Sequence, residues 1–187
     1  MSTQVVVLLA LGVLVVWAAY LFNRLVAYRT RAENGWSQID VQLRRRHDLI
    51  PNLVEAVRGY AAHERELFER VTAARTRGVE ATTVHDQADA ERSLGTGVRQ
   101  LLAVAEGYPD LKADANFLAL QEELSGTESK IAYARQFYND QVMRLNTAID
   151  SFPSNLIASA FGFGEREFFE IDDEAAGPVT VDLGGGA

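Results

Sequence analysis

The chain holds three histidines, His47, His63 and His85, and no cysteine to join them in chemistry. His63-Glu64 opens like the zinc-protease pattern H-E-x-x-H, but the fifth position is Leu67, so the second ligand is missing. A di-iron carboxylate bundle places a glutamate three residues before a histidine. The corresponding positions here are Arg44, Tyr60 and Thr82. Gly95-Thr96-Gly97 is too short to cradle a phosphate and follows no strand pattern. Glu122, Glu123 and Glu128 read as a solvated helix face, and no serine–histidine spacing indicates nucleophilic catalysis. The sequence therefore predicts no catalytic residue, no metal ligand set and no cofactor, and argues against an enzyme.

Two polar clusters suit binding instead. Arg44, Arg45 and Arg46 form a basic knot beside His47 and Asp48. One reading is a docking surface for an acidic protein partner. The plainer reading is pairing with carboxylates on neighbouring helices, or with helix carbonyls near a C-terminal dipole. Lipid headgroups are a weaker choice, because the knot should stand ~30 Å beyond the membrane anchor described below, outside a Debye length of ~8 Å. Tyr108-Pro109-Asp110 reads first as a turn, with proline setting the backbone and Asp110 accepting local N–H bonds. A predicted meeting with Asp48, Pro51 and Asn52 makes the two clusters one candidate docking tip.

The elements that must position these residues begin with an uncharged N-terminus. Residues 5–22 read VVVLLALGVLVVWAAYLF, and ~18 apolar residues at 1.5 Å rise just cross a bilayer core. No positive n-region precedes this run, as a cleaved signal peptide would need, so it is expected to be a retained anchor whose partner is the lipid bilayer. Trp17 and Tyr20 suit a membrane–water interface. Arg24, Arg29 and Arg31 follow the span and no basic residue precedes it. The positive-inside rule then places the body in the cytoplasm of a cell's inner membrane and the short N-terminus outside. A formal net charge of -8 argues against nucleic acid.

Beyond the span the pattern is helical throughout. Trp36, Ile39, Leu43 and Ile50 recur at three- and four-residue spacing on a first helix expected to end near His47. Pro51 is expected to open a second helix that fades near Gly78. Residues 79–90 read as a loop. A third helix carries Leu94, Val98, Leu101, Ala105 and Tyr108, weakened at its start by Gly95 and Gly97. Asp114 or Asn116 can cap a fourth, which runs from Phe117 to Phe152 and stops at Pro153. Short connections favour up-down-up-down packing, with loops 47–52 and 107–116 meeting at the far tip and residues 153–169 returning to the membrane. That returning segment is apolar; Leu156, Ile157, Phe161 and Phe163 either face the bilayer as a second attachment or cap the bundle.

The span from Trp36 to Glu55, WSQIDVQLRRRHDLIPNLVE, resembles the signature of the LemA family. So do YPDLK at Tyr108 to Lys112, the N-F-L-x-L-Q at Asn116 to Gln121, the E-x-K-I-A-x-A-R-Q-F-Y-N-D at Glu128 to Asp140 and FPSN at Phe152 to Asn155. The resemblance covers about residues 20–169 and leaves the acidic tail outside. It implies a bacterial single-pass membrane protein with a cytoplasmic helical bundle and no established reaction, some relatives acting in organelle formation. The expectation is an all-α protein: anchor over 1–23, an antiparallel four-helix bundle over 24–163, and an acidic disordered tail over 164–187. Its expected role is a scaffold or interaction module with an unidentified protein partner. The alternative is a membrane-shaping protein that self-assembles as a homo-oligomer.

Overall fold

The computed structural model describes residues 2–171 and is all-helical among them. Helix α1, Thr3–Arg58, runs unbroken for 56 residues, about 84 Å at 1.5 Å per residue. Helices α2, Arg65–Glu80, and α3, Val84–Ala105, follow. A single turn, α4, Pro109–Lys112, leads to α5, Ala115–Asp150, and then to short α6, Ser154–Phe161.

Side chains of α1 are exposed through its apolar start, and burial begins at Leu21. From there Leu25, Ala32, Gly35, Ile39, Leu43, Ile50, Leu53 and Val57 are buried. On α5 the buried stripe is Phe117, Leu124, Thr127, Ile131, Ala134, Tyr138, Val142 and Leu145. These two stripes make the dominant packing, α1 against α5. Arg45 meets Glu123 and Gly35 meets Tyr138, so the pair is antiparallel. A Cβ added at Gly35 would lie 3.1 Å from the Tyr138 Cα, which shows how closely the two backbones approach. The second pair, α2 with α3, lies on the distal part of the first. Gly97 allows it: a Cβ there would stand 2.7 Å from Val71 Cγ2. The weakened helix start seen in the sequence thus has a packing reason. The α3 and α5 helices do not close against each other in the same way; a groove of about 850 Å3 opens between them.

Several expected boundaries are corrected. Pro51 does not start a helix; it sits inside α1. A mid-helix proline removes one donor and crowds the carbonyl four residues earlier, here that of His47. The Arg75 Nε of α2 donates to that carbonyl at 2.7 Å, so the orphaned acceptor is satisfied and the helix continues. The turn expected at 47–52 therefore lies at 59–64, and it is this turn that faces the α3–α4 connection. Tyr60 and Tyr108 rings stand 6.4 Å apart there. The loop expected over 79–90 is only 81–83. Thr83 caps α3, its Oγ1 accepting from the Asp86 N–H at 3.0 Å and donating to Asp86 Oδ2 at 2.7 Å. Pro109 and Asp110, expected as a turn, form the first turn of α4. Asp114 caps α5 through bonds from the Asn116 and Phe117 N–H groups.

The Pro51–Arg75 pairing makes a testable prediction. Arg75→Ala should destabilise the protein by about 1–3 kcal/mol, the cost of an unsatisfied buried acceptor. In a Pro51→Ala background, which restores the helix N–H, the same change should cost at least ~1 kcal/mol less. Thermal melts followed by circular dichroism measure the cycle; equal costs in the two backgrounds would refute the pairing.

Candidate functional site

The arginine knot is divided by the helix period. Arg44 points outward and pairs with Asp40 at 2.8 Å. Arg45 is half-exposed and reaches Glu123 of α5 at 2.7 Å. Arg46 and His47 face inward and are buried. Asp48 is exposed. The second half of the expected tip, Tyr108, Pro109 and Asp110, lies elsewhere. Ten residues of α1 separate Asp48 from Arg58, so the knot sits about 15 Å short of the tip. One continuous docking patch of Arg44 to Asp48 with Tyr108 to Asp110 does not form, because α1 does not turn at Pro51.

What forms around Arg46 and His47 is a buried charge layer. Glu91 of α3 has a fully buried side chain. Its Oε1 accepts from His47 Nε2 at 2.6 Å and from Gln87 Nε2 at 2.9 Å, and its Oε2 accepts from Arg46 Nη1 at 3.1 Å. A carboxylate only accepts, so His47 carries its proton on Nε2 toward Glu91. Arg46 Nη2 also reaches Glu128 of α5 at 2.9 Å. Space for the layer comes from Gly78, where a Cβ would stand 2.9 Å from His47 Nε2. The layer divides the apolar interior in two. Ile50, Leu53, Leu67, Leu94, Leu101 and Phe117 lie on the distal side, and Ala32, Ile39, Ile131, Tyr138 and Phe169 on the membrane side. No group of three metal-ligating side chains occurs among the described residues.

The segment after α5 does two things. Phe161 and Phe163 gather on Phe22, with ring centroids 4.8 and 5.8 Å away. Leu156 is exposed and Ile157 half-buried. Residues 164–171, expected to begin a disordered tail, instead form an extended strap along α5; residues 172–187 lie outside the described ones. Asn146 holds the Arg166 backbone with both amide atoms, Oδ1 accepting from N–H at 3.0 Å and Nδ2 donating to the carbonyl at 2.9 Å. Asn139 grips Phe169 in the same way, at 2.9 and 3.2 Å. The spacing matches: seven helical residues and three extended ones each span about 10 Å. Tyr138 donates its hydroxyl to the Glu167 carbonyl at 2.8 Å, and burial pushes its pKa up, keeping the phenol a donor. Arg166 pairs with Glu33 of α1 at 2.6 Å. Phe169, grouped from sequence with the membrane-returning residues, is fully buried with its ring edge-on to Trp36, which in turn meets Tyr138.

Sequence reasoning missed Glu91, Gln87, Arg75 and the two asparagines. The heptad spacing of Asn139 and Asn146 beside the buried stripe of α5 was the available signal. Ile171, the last described residue of the strap, lies on the edge of the α3–α5 groove. Val98, Leu102, Leu118 and Ile131 line that groove with Arg99, a surface able to take an extended apolar segment.

Two outcomes check this geometry. Glu91→Ala should cost about 3–5 kcal/mol, since it strands Arg46 and His47 in the interior, whereas Glu128→Ala, half exposed, should cost under ~1 kcal/mol. Denaturation of the full chain compares them, and similar costs would contradict a buried layer centred on Glu91. Asn139→Ala should remove hydrogen-exchange protection from the Phe169 amide while leaving α2 and α3 protected; an unchanged Phe169 amide would rule out the asparagine grip.

Comparison with known proteins agrees with these motifs. Two "Magnetosome protein MamQ" sequences of Paramagnetospirillum magneticum are each 26% identical over 186 residues, covering 86% of this chain and 68% of the relative. "Protein LemA" of Metamycoplasma hominis is 26% identical over 153 residues, 81% of this chain and 69% of that one. The LemA family model matches residues 35–183, so it takes in the strap and most of the acidic tail that the motif resemblance left outside. The continuous helix from Trp36 to Glu55, the Tyr108 to Lys112 turn and the asparagine-bearing α5 all fall within that match, and the chain belongs to the LemA family.

Proposed function

We propose that this protein is a membrane-anchored interaction module without enzymatic activity, holding a helical head at a fixed distance from the bilayer. The observation that carries the reading is the continuity of α1. Its apolar first part is long enough to cross a membrane and almost wholly exposed, and the same helix enters the packed head without a break. The head is read as an open four-helix arrangement of α1, α2, α3 and α5, with coiled-coil-like spacing along α1 and α5. The basic residues after the span support a cytoplasmic head at the inner membrane. Arg44, Arg45 and Asp48 on the flank, and Pro109 and Asp110 with half-buried Tyr108 at the tip, are the positions through which an acidic protein partner would dock.

A second reading has a specific observation behind it. Relatives named as magnetosome proteins lend support to the alternative of a membrane-shaping or organelle-organising protein, which we take to act by self-assembly. Molar mass by light scattering separates the two, using the full chain in detergent over a wide concentration range. A constant monomer or dimer mass is expected of the adaptor; a mass that climbs with concentration would replace it with the organiser. Proximity labelling in intact membranes then compares wild type with Arg44→Glu plus Arg45→Glu, leaving buried Arg46 untouched. Loss of a labelled membrane protein is expected if the flank docks it, and an unchanged labelling pattern would remove these arginines from the docking role.

A further inference from the structure

The described residues leave one apolar surface of the packed body uncovered at the height where α1 leaves its apolar stretch. Phe152 is 79% exposed, Phe161 63% and Leu156 61%. Exposed aromatic and leucine side chains of this size are ordinary when scattered. Here all three come from one fourteen-residue stretch, 151–164, that contains no charged residue.

The position of that stretch is fixed by contacts. The Phe161 and Phe163 rings sit on Phe22, the last residue of the apolar run. At the other end of α6, Phe152, Pro153 and Ser154 share a cavity with Leu21, Arg24 and Leu25 of α1. Both ends of α6 therefore flank the same stretch of α1, and the helix lies across α1 at that height. Its inward side is taken up by Ala158, which is buried. Eighteen residues from Val5 to Phe22 span about 27 Å, so Phe22 falls at the edge of a hydrocarbon core of ~30 Å. An uncharged crosswise helix at this depth meets the zone where apolar side chains settle among headgroups and upper acyl chains. Asp150 and Glu165 bound the stretch on either side, and the arginines around it are of the kind that reach up to headgroups. Arg24 stacks on Tyr28 and Arg29 on Phe163, and Arg144 of α5 lines the same cavity as Arg24.

We infer that α6 is a second membrane contact: Phe152, Leu156 and Phe161 seat in the interfacial zone of the bilayer leaflet that the α1 span leaves. The occupant of the apolar face is the lipid interface itself. With two contacts, the span and this foot, the head cannot swing freely about α1, and α5 is held at both ends. The inference rests on the anchored reading given above.

The chain has no cysteine, so single cysteines can carry a nitroxide label without background. The full chain is reconstituted in nanodiscs of phosphatidylcholine and phosphatidylglycerol. Labels are placed at Leu156→Cys, at Val13→Cys within the span, and at Tyr133→Cys, 75% exposed on the stalk part of α5. Collision with oxygen reports lipid, and collision with a water-soluble nickel chelate reports water. Expected is a Leu156 label intermediate between the two, with nickel collision several-fold below that of Tyr133 and oxygen collision below that of mid-span Val13. A Leu156 label as wet as Tyr133, with Val13 still in lipid, overturns the foot and leaves the anchor standing. A Val13 label in water overturns both. A Leu156 label shielded from both reagents, with a short spin–spin distance between copies, assigns the face to a second copy of the chain instead. Phe152→Asp with Phe161→Asp alters only exposed side chains; in this variant a label at Ser159→Cys should move several-fold toward water while helix content is kept. An unmoved Ser159 label would also overturn the foot.

Discussion

A carboxylate removed from water has to be matched, and the rest of the head is arranged around that demand. Glu91 takes three hydrogen bonds, from Arg46, His47 and Gln87, and Arg46 passes on to Glu128. The layer thereby joins α1, α3 and α5, while Arg75 of α2 reaches the backbone of the same His47. Replacing such a layer with apolar residues is often neutral for stability, yet breaking it from one side is costly. Its structural effect is on register. A one-turn slip of α3 along α1 would still pack leucine on leucine, but it would leave Glu91 without Arg46 and His47.

The same place resolves the conflict in α1. A proline seven-eighths of the way along the helix would ordinarily kink it. Because Arg75 bonds the carbonyl that Pro51 leaves free, the helix reaches Arg58 and remains a single rod. An unbroken rod keeps the distal tip in line with the rest of α1, which a hinge at residue 51 would not. Below the charge layer only the start of α3 still packs, through Val84 and Ala88, and the strap joins it beside α1 and α5. The strap has no strand to pair with, so its backbone is satisfied by the side-chain amides of Asn139 and Asn146.

Two features separate this body from a closed bundle. The groove between α3 and α5 leaves an apolar wall accessible, and α6 leaves another at the membrane end. Both suit the contact role proposed above, and the groove wall adds Glu122, Ser125 and Arg99 beside its apolar side chains.

The sequence alone determined the helical class, the apolar run at the start, a cap at Asp114 or Asn116 and the long helix that is α5, because each is written in local composition and in spacings of three and four, and its motifs carried the family resemblance. It also offered pairing of Arg44, Arg45 and Arg46 with carboxylates on neighbouring helices. Only the tertiary structure decided which arginine faces inward, where α1 ends and how the acidic tail begins. Pro51 has the same local meaning in a helix start and a helix interior; the difference is made by Arg75, which is twenty-four residues away in sequence and 2.7 Å from the freed carbonyl. Glu91 looks like any surface glutamate until α1 presents Arg46 and His47 to it. Phe169 follows an acidic, glycine-containing stretch that reads as loop, and it is buried because Trp36, over a hundred residues away, and Tyr138, over thirty residues away, belong to the cluster that receives it. Long-range pairing of this kind leaves no period in the chain, so the fold's elements were legible and the contacts that join them were not.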